Sequence, residues 1–192
     1  GRSSMASRRK IKEPIVVYRI ADRRFPIYSG AGAARQGSRW NSPGVEMICA
    51  AGTFAGAILE KFAHVGDERL PRNQAWVKIT IPAGVSVETI EEEDVPGWDA
   101  DDWDASREFG DRWIAEGRSA VLIVPCMVAR DVEKNVIINP AHPDSRKVKV
   151  SEPKPVRWWD ARIFGKDPSD LRPLSGKSSV VTKPRSRKKP GK

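Results

Sequence analysis

The chain has 192 residues, 39% of them hydrophobic and 31% charged, with a formal net charge of +9. That length suits one domain with a single core, and no run nears the roughly 18 apolar residues that a membrane span needs. The charge sits at the ends. Residues 1–13 hold five Lys/Arg and one acid, and residues 176–192 hold seven Lys/Arg and no acid, leaving 22 bases against 24 acids between them, a net of −2. A near-neutral centre argues against a nucleic-acid-binding domain, and the basic ends read as solubilising segments without fixed structure. The four residues ahead of Met5 read as a cloning remnant. No apolar stretch follows the first basic residues, so no secretory signal is expected. Cys49 and Cys126 lack disulfide or metal spacing and fit reduced thiols in a cytoplasmic protein. Three segments are expected: a flexible basic extension over 1–13, a folded domain over 14–166 and a Pro/Ser/Lys-rich disordered tail over 167–192.

In chain order, Ile15–Tyr18 is a β-branched and aromatic run that predicts a strand ending near Arg19. Residues 28–44 are rich in Gly, Ser and Asn and predict turns, with a reversal at Pro43–Gly44. Val45–Ala50 predicts a strand, Gly52–His64 a helix, and the alternation from Trp76 a strand stopped at Pro82. Residues 88–104 contain nine acids and no base. They read as a solvated loop, with Trp98 and Trp103 as anchors should a basic partner dock there. Arg107–Glu116 predicts a helix closed by Gly117. Ala120–Val124 and Val136–Ile138 predict strands, and Val148–Val150 and Arg157–Trp159 late ones. Strands and helices alternate without βαβ regularity, which favours an α+β fold.

Chemistry concentrates in two places. Between Gly30 and Gly44, small residues allow close backbone approach to a ligand. Arg39 projects from that segment, and Arg19 ends the first strand. Two guanidiniums are a sensible clamp for a pyrophosphate, although arginines beside glycines often only solvate a turn. Neither a P-loop nor a dinucleotide-binding glycine motif is present. On the helix at 52–64, Phe54, Ile58, Phe62 and Val65 share an apolar arc. Thr53, Gly56, Ala57, Glu60, Ala63 and His64 form the other side. Glu60 is then the one carboxylate on a small-residue face, either a site residue or an ordinary exposed glutamate. His64 and His142 read as structural, and two histidines without a third ligand predict no metal.

In order along the chain, Tyr18–Arg19, SGAGAARQGSRWNSPG, AILE, Gly110–Trp113, LIVPC and Asn139–Pro143 resemble the RES domain, over about residues 15–165. The resemblance implies a single compact α+β domain with a split, bent β-sheet flanked by helices, related to ADP-ribosyltransferases. It implies a toxin that cleaves the nicotinamide–ribose bond of NAD⁺ and passes ADP-ribose to protein, phosphate or water. NAD is then a substrate, and no metal is needed. An antitoxin with a helix-turn-helix region is the implied partner, with DNA reached only through it and no membrane involved. The family's arginines match Arg19 and Arg39, and its glutamate matches Glu60. Trp40, Asn41, Cys49 and Cys126 are the expected pocket lining. Two positions depart from the family pattern: Cys126 stands at the usual serine and Cys49 at the usual tyrosine, each a weaker hydrogen-bond donor. A catalytically weakened NAD-binding or antitoxin-binding module is therefore the alternative.

Overall fold

The computed structural model describes residues 8–65 and 73–157. The last two residues of the strand expected at 157–159, the tail from 167 and the His64 side chain lie outside the described residues. The strands are β1 (Arg9–Lys10), β2 (Ile15–Asp22), β3 (Ile48–Ala51), β4 (Gln74–Ile81), β5 (Ser86–Thr89), β6 (Val121–Pro125), β7 (Lys134–Ile138), β8 (Lys149–Val150) and β9 (Lys154–Pro155). The helices are α1 (Ala31–Gln36), α2 (Phe54–Val65) and α3 (Asp104–Ala115).

The strands form one sheet of order β1-β5-β6-β7-β3-β2-β4-β8, with β9 also on β4. All pairs are antiparallel except β5–β6. The two halves of the sheet meet at a single registered pair, Tyr18 opposite Ala51. On its other edge β2 pairs with β4 along its whole length, from Ile15–Ile81 to Asp22–Gln74. This pairing carries β2 past its expected end at Arg19: backbone hydrogen bonds to β4 outweigh the weak strand preference of Ala21 and Asp22.

Alternate residues of the central strands feed a core on each face of the sheet. Val136 and Ile138 of β7 join Val17, Ile48, Val77, Ile79 and Val121 on one face. Ile137 joins Leu122, Val124, Met47, Trp40, Trp98 and Trp113 on the other. The acidic segment is therefore more than a solvated loop. Trp98 is 2% exposed and stacks on Trp40 with centroids 6.1 Å apart. Glu88 lies buried in β5, bonded to Arg118 at 2.6 Å. Arg130 holds Glu92 and Asp99 at 2.8 and 2.9 Å, and Lys134 holds Glu91 at 2.6 Å. Trp98 is thus a core residue and cannot anchor a partner.

Two further elements differ from expectation. The AGAARQ run is helical, because its alanines favour helix and Gly37, at φ 73°, ends it. Arg9 and Lys10, within the stretch expected to be flexible, pair with Val87 and Ser86, and Ile11 beside them is buried. The family-like motifs at 110–113 and 139–143 are packing devices. A Cβ on Gly110 would overlap the Trp40 carbonyl oxygen, and Asp111 accepts the Ser42 amide at 3.0 Å. Gly110 and Asp111 thus dock α3 on the segment carrying Arg39. In the second motif Asn139 accepts from the Ala141 amide, His142 caps Asp144, and Ser145 donates to the Asn139 carbonyl.

Asp144 ties the N-terminal strand down. Its carboxylate accepts from Lys10 at 2.8 Å, Lys147 at 2.6 Å and the Ser86 amide at 3.0 Å. Hydrogen bonds from Lys10 and then Lys147 hold its pKa far below the ordinary carboxylate range. A depressed carboxylate pKa stabilises the fold above the unfolded value, and that stability disappears as pH falls through the folded value. Asp144→Asn is therefore expected to lower the melting temperature at neutral pH. The gap to wild type should close progressively below about pH 4, where an unfolded aspartate begins to protonate. Gly110→Ala is expected to destabilise by about 1–3 kcal/mol through overpacking, measured by urea unfolding.

Candidate active site

Where β2 and β3 part, a cleft of about 680 Å³ opens between the 22–36 segment, the ends of β2 and β3, and α2. Its volume lies in the range of small-molecule and cofactor sites. Arg19, Cys49 and Glu60 line it, as do Tyr18, Arg35, Lys61 and Asn135.

Arg19 leaves β2 and turns its guanidinium onto backbone carbonyls. Nε donates to Ile27 at 2.8 Å, Nη1 to Cys49 at 2.7 Å and Nη2 to Ser29 at 3.3 Å. Burial lowers its pKa. A planar fork suits three carbonyls presented by two different segments, which a flexible ammonium would match poorly.

Glu60 reaches the cleft because α2 lies against the sheet through its small face: Gly56 and Ala57 are buried, while Leu59 and Phe62 are 45% and 39% exposed. Gly56 and Ala57 make the close contact, since small residues allow the nearest approach, while Phe54 of the apolar arc packs edge-on against Tyr18 and Trp76 of the sheet and Phe62 turns outward. One carboxylate oxygen, Oε1, is held by Asn135 Nδ2 at 2.7 Å and Cys126 Sγ at 3.4 Å. Among the described residues Oε2 accepts no hydrogen bond. Burial, aided by the Glu60 charge, raises the Cys126 pKa, and burial likewise raises that of Cys49. Both thiols stay protonated at neutral pH, so Cys126 serves Glu60 as a donor and neither is poised as a nucleophile.

Four of the expected residues are off the cleft wall: Cys126, buried at 1% exposure, meets the site only through Glu60, and Arg39, Trp40 and Asn41 lie elsewhere. Arg39 Nη1 donates to the Trp98 and Ala100 carbonyls at 3.0 and 3.2 Å, and the guanidinium stands 5.3 Å from the Trp103 ring. It is not on the cleft wall. Burial lowers its pKa, against the raising charges of Asp99, Glu60 and Asp101. Trp40 packs in the core between Trp98 and Phe109. Asn41 is fully buried, and its amide nitrogen is shared among the Ala33, Ser42 and Val45 carbonyls. Trp40 and Asn41 shape the segment that carries Arg39 and do not line the cleft. Asn135, Arg35 and Lys61 were not singled out from the sequence. Asn135 had one usable signal, as a polar residue on the same strand face as the core residue Ile137.

The family model of the RES domain matches residues 16–160. The chain belongs to the RES-domain family. It is 40% identical over 144 residues to a protein of Sphingobium sp. strain YBL2 named Prs ADP-ribosylating toxin, covering 72% of this chain and 87% of that one. It is 30% identical over 141 residues to a Photorhabdus laumondii protein named Toxin Res, covering 69% and 86%. Its fold resembles a chain in the crystal structure of the M. tuberculosis MbcT–MbcA toxin–antitoxin complex. There the TM-score is 0.60 at 16% identity, covering 77% of this chain and 86% of that one. The α+β domain with a split sheet is thus the fold that this RES-domain chain adopts. Among its described residues no helix is long and apolar enough to cross a membrane, and no cluster of His, Cys, Asp or Glu is arranged for a metal.

Removing the Arg19 guanidinium strips donors from three carbonyls. Arg19→Ala is expected to cost at least about 2 kcal/mol of stability by denaturant unfolding. Arg19→Lys should restore only part of it.

Proposed function

We propose that this RES-domain chain is the toxin of a toxin–antitoxin pair. It cleaves the nicotinamide–ribose bond of NAD⁺ in the cleft beside Glu60 and transfers ADP-ribose to an acceptor, arresting growth. The observation that carries the reading is the carboxylate of Glu60, held through one oxygen on the wall of a cofactor-sized cleft, with its other oxygen free of partners among the described residues. The relative named Prs ADP-ribosylating toxin supports the chemistry, and the fold shared with a chain of a toxin–antitoxin complex supports the setting.

The leaving group is already a cationic pyridinium, so departure as neutral nicotinamide needs no strong acid. Positive charge builds instead on the ribose, in a transition state like that of glycoside cleavage. A carboxylate fixed at one oxygen is oriented before reaction and can hydrogen-bond a ribose hydroxyl through the other, stabilising that charge. The same oxygen can accept a proton from the incoming nucleophile. Asn135 and Cys126 act through Glu60, as positioning residues. Arg19 holds the cleft open by fixing the 27–29 segment to β3, and Arg39 fixes the 98–103 segment. The acceptor is a protein, phosphate or water. The partner is an antitoxin with a helix-turn-helix region, through which the complex contacts DNA.

The deciding measurement is free nicotinamide released from NAD⁺ by wild type and by Glu60→Ala. The variant is expected to lose at least about 100-fold in rate, and equal release would remove Glu60 from the chemistry. Labelled NAD⁺ leaves label on a protein band only if the acceptor is a protein. Cys126→Ser replaces a weak donor to Glu60 with a stronger one, and nicotinamide release is expected to rise. Inorganic phosphate that speeds release and appears in the product would identify a phosphorylase.

A further inference from the structure

We infer that the cationic contacts to the substrate's pyrophosphate come from Arg35 and Lys61, and not from Arg19 and Arg39. The inference rests on the NAD⁺ reading above. The cleft wall carries four cationic side chains, Arg19, Arg24, Arg35 and Lys61, against two carboxylates, Asp22 and Glu60. Two of the four are already committed. Arg24 is closed on Asp22 by hydrogen bonds from Nε and Nη2, the shortest 2.6 Å. Each guanidinium nitrogen of Arg19 donates to a backbone carbonyl, and an anion would have to compete with contacts that hold the sheet and loop together. Arg39 is off the wall, bonded to two carbonyls.

Arg35 and Lys61 remain. Among the described residues neither makes a hydrogen bond or an ion pair. Two free cations match the two negative charges of a pyrophosphate, and both types bind phosphate oxygens well. Their placement also orders a dinucleotide along the cleft. Lys61 follows Glu60 on α2, turned from it by about 100°. Glu60 points to Asn135 and Cys126, while Lys61 feels the charges of Arg19 and Asp22. Nicotinamide ribose at Glu60 therefore places the adjoining pyrophosphate toward Lys61, with Arg35 reaching it from the last turn of α1. Burial, and then the Arg19 charge, lowers the Lys61 pKa. A dianion beside Lys61 offsets both effects.

The test is calorimetric titration of NAD⁺ and of ADP-ribose into wild type, Arg35→Ala, Lys61→Ala and Lys61→Arg. Arg112→Ala, an exposed cation that does not line the cleft, is the control. Both ligands are expected to bind about tenfold or more weakly to each alanine variant. Lys61→Arg and the control should stay near wild type, and added salt should weaken wild-type binding more than that of the variants. Melting curves show whether each variant is folded, and Arg35, exposed on a short helix, keeps the test open if Lys61→Ala unfolds. ADP-ribose affinity unchanged in the folded alanine variants would overturn the inference and leave the NAD⁺ reading intact. A wild type that binds neither ligand and releases no nicotinamide would instead overturn the NAD⁺ reading, and this inference with it.

Discussion

The cleft depends on one guanidinium. The two halves of the sheet share a single backbone pair, Tyr18 with Ala51, so β2 and β3 are free to diverge just beyond it. Divergence alone would leave buried carbonyls without donors, at a cost of about 1–3 kcal/mol each. Arg19, the next residue along β2, supplies those donors to Cys49 on β3 and to Ile27 and Ser29 on the facing segment. It therefore stabilises an opening where a continuous sheet would close. Cys49 stands at that opening, so both its carbonyl and its side chain belong to the site.

Against this frame α2 delivers one carboxylate. Its small residues let the helix lie close to β3, and β7 and the end of β6 hold Glu60 from below through Asn135 and Cys126. Burial keeps both thiols protonated. Cys49 and Cys126 thus remain neutral and compatible with a carboxylate-centred site. Cys126 donates to Glu60 at the longer reach of a thiol, 3.4 Å.

Much of the fold was legible along the chain. The β-branched runs at 15–18, 120–124 and 136–138 became strands, and the 52–64 and 107–116 periods became helices. The errors share a cause. The end of β2, the N-terminal strand and the buried part of the acidic segment depend on partners distant in sequence: β4, β5 with Asp144, and Trp40 with Arg118 and Arg130. The motifs carrying the family resemblance were visible too. Several of them pack: Gly110 and Asp111 seat α3, and Asn139–Pro143 builds a turn.

The sequence by itself determined the class of fold, the near-neutral centre, and three cleft residues in Arg19, Cys49 and Glu60. A strand end marked Arg19 and a lone carboxylate on a small-residue helix face marked Glu60, both local patterns, whereas Cys49 came from the family resemblance. Only the tertiary structure decided which donors were already occupied. It moved Trp40 and Asn41 into the core and turned Arg39 onto the 98–103 segment. It also brought Asn135, Arg35 and Lys61 to the cleft. Hydrogen-bond saturation depends on which carbonyls and carboxylates lie within about 3 Å. Folding sets those distances between strands far apart in the chain, and no local spacing encodes them.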